Sequence, residues 1–247
     1  MILRVDEVSL RFGGITALRD VQFGVRQGEI CGLIGPNGSG KTSLFNVITG
    51  FYKPTAGKVT FCERDITKRP PHIVGRHGIS RTFQTAALQP ERTVLENVLL
   101  GAYTHRRDLW RDFFGAARER EDVLRAEKLL DMLGILHLRD EPTHNMPVGM
   151  RHAAELARSL MSDPKLLLMD EAWGGLNTSE SAEMVSIVQR IRDTGVTVLL
   201  VEHNMKVIMS ICDRIVVLEA GQKIADGPPE EVRKNPKVIE SYLGKEH

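Results

Sequence analysis

The chain has 247 residues, a formal net charge of +1 and a hydrophobic fraction of 42%, enough apolar material for one large α/β core or a core with a smaller subdomain. The near-neutral balance lacks the strongly basic footprint of a nucleic-acid binder. No apolar run nears the ~20 residues that a membrane helix requires.

The opening residues, Met1–Asp6, lack the apolar stretch of a signal peptide, so the chain is expected in the cytosol, with membrane association made through a partner. Residues 2–30 alternate apolar and polar positions between glycines, as antiparallel strands do, and Gly57–Cys62 could add a strand to that sheet. Ile79–Phe83 reads as a short strand ending at Gln84. From about residue 91 to 160 the character turns helical. Thr93-Val94-Leu95-Glu96 fits a capping box, and Val123, Ala126, Leu130 and Leu133 recur at helical spacing up to Gly134. Strands return as the short apolar runs Lys165–Met169, Val196–Val201 and Ile215–Leu218, which suit parallel strands buried on both faces. Met184, Ile187, Val188 and Ile191 mark a crossover helix ending at Gly195. Cys31, Cys62 and Cys212 show no metal-ligand spacing and lie in or near these strand-like segments, the pattern of buried free thiols.

Residues Gly35-Pro36-Asn37-Gly38-Ser39-Gly40-Lys41-Thr42 spell the full phosphate-binding loop G-x-x-x-x-G-K-[ST]. The apolar Glu29–Ile34 precedes it, and Ser43–Ile48 follows as a helix closed by Gly50, so the loop has its strand–turn–helix setting. Its glycines let backbone N–H groups converge on phosphates at a helix N-terminus. Lys41 is then placed for the β- and γ-phosphates of a nucleoside triphosphate and the Thr42 hydroxyl for Mg²⁺. Leu166–Met169 ends in Asp170 and Glu171. In a doubly wound sheet, ligands sit beyond the carboxyl ends of the strands, so Asp170 is expected to hold Mg²⁺ and Glu171 to polarise the attacking water. Two solvated acids at a strand end are the plainer alternative. Val201-Glu202-His203 ends the next strand alike, where His203 is either an exposed imidazole or a contact to the γ-phosphate. Gln84 is either a surface amide or a ligand to Mg²⁺ or the lytic water.

Taken in this order, the motifs resemble the ATPase subunit of ATP-binding-cassette (ABC) transporters over nearly the whole chain. The resemblance implies a P-loop α/β fold with a parallel core, an N-terminal antiparallel sheet and an inserted helical subdomain. It divides a single 1–247 domain into a core at about 1–90 and 161–247 and a signature-bearing helical part at 91–160. It assigns Phe12 to adenine stacking and Gly35–Thr42 with Ser43 to the Walker A motif. Gln84 becomes the Q-loop, Leu166–Glu171 Walker B, Gly175-Leu176-Asn177 the D-loop and His203 the switch histidine. The segments Arg11–Gly14, Gly78–Gln84, Glu91–Val98, Val201–Met205 and Asn235–Gly244 resemble the branched-chain amino acid importers; subunits serving urea, short amides and aromatic acids look similar. The implied partners are ATP with Mg²⁺, a second ABC ATPase, transmembrane permeases at the cytoplasmic face of the inner membrane and, indirectly, a solute-binding protein, with no nucleic acid. A soluble ABC protein acting on DNA or the ribosome, or a weakly hydrolysing regulatory subunit, is the alternative.

Two segments depart from the pattern. The signature falls on Met146-Pro147-Val148-Gly149-Met150, where only Gly149 is retained. Pro147 brings neither the serine hydroxyl nor an N–H, and Met150 cannot donate a hydrogen bond as glutamine does. Ala172-Trp173 replaces the usual proline-containing loop after Glu171. Residues 85–100, with Leu88 as an apolar contact or as core, are expected to receive a permease helix. His105, Arg106, Arg107 and Arg111 form either a surface toward lipid headgroups or a membrane subunit, or a solvated face.

Overall fold

The alternation in the first quarter of the chain folds as expected, because each strand has one face to bury. In the computed structural model, which describes residues 1–82, 88–103 and 115–243, β1 (Leu3–Phe12) turns through Gly13-Gly14 into β2 (Ile15–Val25) and pairs with it antiparallel. On the other side of β1 lie β4 (Ala56–Phe61) and then the two-residue β5 (Arg64–Asp65), giving the order β2-β1-β4-β5. Cys62 leaves β4 with φ 46° and is half-buried, unlike the buried Cys31 and Cys212; all three are free thiols.

The second sheet has the order β10-β9-β3-β8-β7-β6. Its strands are β3 (Ile30–Ile34), β6 (Ile79–Arg81), β7 (Leu166–Asp170), β8 (Thr197–Val201), β9 (Arg214–Glu219) and β10 (Gln222–Gly227). All neighbours pair parallel except β9 and β10, which form an antiparallel hairpin at the edge. The continuous apolar runs are explained by cover on both faces. Leu167, Met169, Val198, Leu200, Ile215 and Val217 point into one core, and Leu166, Leu168, Leu199, Val201, Val216 and Leu218 into the other.

Helix α1 (Lys41–Ile48) and the antiparallel sheet cover the second face. The first face is covered by α6 (Thr178–Asp193), α7 (Met205–Ile211) and a helical group. That group comprises α3 (Val94–Tyr103), α4 (Gly115–Met132) and α5 (Val148–Leu160), which pack on one another. The Thr93–Glu96 capping box is formed in both directions, at 2.9 and 3.2 Å. A second box at the start of α6, Asn177 with Glu180, follows the same N-x-x-E logic. Among the described residues the remaining α-helices are α2 (Pro71–Arg76), α8 (Pro229–Lys234) and α9 (Pro236–Leu243). Among the described residues, no helix is long and apolar enough to cross a membrane.

Candidate active site

Strand order decides which side chains meet. Since β3, β8, β7 and β6 are consecutive and parallel, their carboxyl ends line one edge of the sheet. The phosphate loop leaves β3, Glu202 and His203 leave β8, Asp170 and Glu171 close β7, and Arg81 closes β6.

The loop backbone is fixed by close approach. Gly35 has φ 153°, and a Cβ there would stand 2.1 Å from the Leu218 carbonyl oxygen; Gly40, at φ 104°, would meet the Ala17 carbonyl oxygen at 2.8 Å. The loop is pinned from behind by Gly221 N–H, which donates to the Ser39 carbonyl at 3.0 Å. Leu44 N–H bonds the Gly40 carbonyl at 2.9 Å. The N–H groups of Lys41, Thr42 and Ser43 therefore precede the first helical bond and point out of the α1 N-terminus. This geometry suits an anion. Asn37, Gly38 and Thr42 are exposed, Pro36 and Ser43 half-buried, and Lys41 buried. Lys41 Nζ donates to the carbonyls of Gly35 at 2.8 Å and Pro36 at 3.0 Å. Burial pushes its ammonium below the usual lysine range, partly offset by the Glu171 and Asp170 carboxylates.

At the end of β7, buried Asp170 accepts from Arg81 Nη2 at 2.6 Å, and Arg81 Nη1 donates to Asn46 Oδ1 at 2.7 Å. Glu171 sits at φ 53°, a left-handed conformation uncommon outside glycine. Its Oε1 lies 2.8 Å from His203 Nε2. Between them Glu202 is buried, with Oε2 lacking a hydrogen-bond partner among the described residues. Burial, then the Glu171 charge, raises its carboxyl to about 7 against backbone N–H bonds from His203 and Asn204.

Phe12 is 46% exposed at the end of β1 and meets Tyr52 edge-on, ring centroids 5.1 Å apart. Of the 146–150 segment, Met146 is buried and Pro147 caps α5, with Arg151 N–H reaching the Pro147 carbonyl at 3.1 Å. The first turn of α5 thus keeps outward N–H groups without the signature side chains. Trp173 is buried and donates from Nε1 to the Ser181 carbonyl at 3.3 Å, so it anchors the loop after Glu171.

Gln84, residues 85–87 of the expected docking surface, and the cluster His105, Arg106, Arg107 and Arg111 lie outside the described residues. Of the two alternatives for Leu88 the structure takes the core: it is only 9% exposed and belongs to the same core cluster as Val94 and Val98. Arg81 and Glu202 join the side chains of this site without a role that sequence reasoning assigns. The available signal was a charged residue at or just after the end of an apolar, strand-like run.

The donor set fits Mg²⁺, which takes hard oxygen ligands, few carboxylates and phosphate oxygens. Thr42 offers a hydroxyl and Asp170 a carboxylate. Among the described residues no group of three His, Cys, Asp or Glu is placed to hold a metal ion.

The family model described as "ABC transporter" matches residues 18–174, and that described as "Branched-chain amino acid ATP-binding cassette transporter" matches residues 222–247. The high-affinity branched-chain amino acid transport ATP-binding protein LivG of Salmonella typhimurium is 39% identical over 98% of each chain. A probable LivG of Archaeoglobus fulgidus is 40% identical, covering 98% of this chain and 95% of its own. An ATP-binding cassette of an ABC transporter, solved in its ADP conformation, superposes with TM-score 0.89 at 36% identity over 99% of both chains.

Proposed function

Since this chain belongs to the ABC transporter family of ATP-binding ATPases, we propose that it powers import of branched-chain amino acids. In this reading it sits at the cytoplasmic face of the membrane, held there by permease subunits and served indirectly by a solute-binding protein. The observation that carries the ATPase half is the 2.8 Å contact of Glu171 with His203 beside the phosphate loop. The cargo half rests on the relatives' names and on the match of the tail at 222–247.

The proposed cycle uses this chain's own groups. Phe12 stacks on adenine, and residues 35–43 wrap the phosphates with backbone N–H groups. Lys41 exchanges its carbonyl partners for phosphate oxygens, a stronger charge-assisted bond. Thr42, Asp170 and, from its motif, Gln84 would hold Mg²⁺, which would supply neutralisation of phosphate charge. Glu171 accepts a proton from the attacking water, and His203 orients Glu171 and contacts the γ-phosphate. Residues 91–160 carry the signature to a second ATPase subunit. The weakly hydrolysing alternative is favoured by one observation, the divergent 146–150 segment.

Reconstitution with the permeases in vesicles tests the whole reading. ATP inside should drive uptake of leucine, isoleucine or valine, and Lys41→Ala should abolish it. ATPase activity that responds only to urea, amides or aromatic acids would overturn the cargo assignment. Absence of nucleotide binding would overturn the site itself.

A further inference from the structure

The metal carboxylate of the site already has a cation. Arg81 and Asp170 are both nearly withdrawn from solvent, their side chains 9% and 4% exposed, and Nη2 stands 2.6 Å from Oδ2. The guanidinium is held from two further directions. Asn46 Oδ1 accepts from Nη1 at 2.7 Å, and the Phe45 ring lies 5.5 Å from the guanidinium carbon. Both partners belong to α1, the helix that opens at the phosphate loop. Arg81 thus ties the ends of β6 and β7 to the loop helix, with its charge on the same carboxylate assigned to Mg²⁺.

A carboxylate buried without a partner is strongly disfavoured, and a paired arginine offsets part of that cost. The same pairing has a consequence for any second cation. Two positive charges close to one carboxylate repel each other, and each weakens the other's hold. The anchors on Asn46 and Phe45 keep Arg81 in place, so an arriving ion has to share Asp170 through the oxygen that Arg81 leaves.

We propose that Arg81 is the resident counter-ion of Asp170 and sets the Mg²⁺ concentration at which the site loads nucleotide. It is a positioning residue, acting through Asp170, and the inference rests on the nucleotide reading above. Without nucleotide the pair keeps Asp170 neutralised and gives a bare divalent ion little reason to bind. With nucleotide the phosphate charges supply the rest of the attraction, so metal and ATP load together.

The test compares wild type with Arg81→Met, Arg81→Gln and Arg81→Lys, using a fluorescent ATP analogue at fixed concentration titrated with MgCl₂. Methionine keeps an apolar stem over Phe45, glutamine keeps a donor for Asp170, and lysine keeps the charge. The two neutral variants should reach half-maximal binding at a Mg²⁺ concentration about tenfold lower than wild type or less, and lysine within about threefold of wild type. MgCl₂ without nucleotide should raise the melting temperature of the neutral variants and leave that of wild type unchanged. An arginine of merely structural value would lower the melting temperatures without moving the Mg²⁺ midpoint, and that result overturns the proposal. Should Arg81→Met fail to fold, Arg81→Gln decides alone. If wild type binds the analogue normally and only the midpoint is unmoved, this inference falls and the nucleotide site stands. If wild type binds none at any Mg²⁺ concentration, both fall.

Discussion

Glu171 and His203 meet because β7 and β8 are in register. Asp170 pairs with Val201 across the parallel ladder, so Glu171 falls level with Glu202 and His203 one residue further out. The left-handed turn at Glu171, φ 53°, accompanies a 2.8 Å contact of its Oε1 with His203 Nε2. A carboxylate can only accept, so an ionised Glu171 requires the proton on Nε2. Such a backbone conformation costs about 1–3 kcal/mol in a non-glycine residue, which makes it a feature held by its surroundings.

Glu171→Gln should therefore keep Mg·ATP binding and lower kcat by about 10²–10⁴-fold, the range of a lost general base. His203→Ala removes the orienting contact and should lower kcat less, with KM little changed. Steady-state ATPase assays with parallel nucleotide titrations check both. Wild-type turnover in Glu171→Gln would move the base elsewhere.

Glu202 gives a pH signature. Its folded value of about 7 lies above the ordinary 4.5, so between those pH values the native protein holds a proton that the unfolded chain has released. Its stabilising contribution is complete below pH 4.5 and is lost as pH rises toward 7, by at most about 1.4 kcal/mol per pH unit for one proton. Glu202→Gln keeps the neutral shape and should flatten the fall of thermal stability across that window. Parallel pH profiles for the two proteins would refute the assignment.

Leu88 belongs to the core beside Val94 and Val98. Leu88→Ala should cost about 2–5 kcal/mol, as large-to-small changes in packed sites do. Leu88→Asp should be worse, because the carboxylate gains no partner there. Urea unfolding measures both, and ATPase and transport should fall together with the amount of folded protein. Selective loss of transport would return Leu88 to a docking role.

The divergent signature predicts unequal ATP sites. In a homodimer both sites would face Pro147–Met150, which retains helix N–H groups but not the usual side chains. Paired with a different ATPase subunit, Lys41, Asp170, Glu171 and His203 of this chain would face an intact signature, while the opposite site would turn over slowly. ATPase activity of this chain alone should fall well below that of an equimolar mixture with its partner, and Glu171→Gln should remove most of the mixture's activity. Equal rates for the chain alone and the mixture would exclude the heterodimer.

By itself the sequence determined the phosphate loop, the carboxylates at 170 and 171, and the strand and helix segments around them. Local chemistry suffices there: glycines where the backbone comes too close for a Cβ, apolar runs where both strand faces are covered, polar residues where strands end. Tertiary structure decided what depended on strand order and register. Gln222–Gly227 carries too little apolar pattern to declare the antiparallel edge strand β10, which pairing with β9 alone defines. Leu88 could not be assigned to core or surface without the helices that close over it. Arg81 lies 89 residues from Asp170 in the chain, and only the adjacency of β6 and β7 brings that strand residue onto the buried Asp170 carboxylate. A charge acquires its role from the charge it is buried against, and that partner is chosen by the fold.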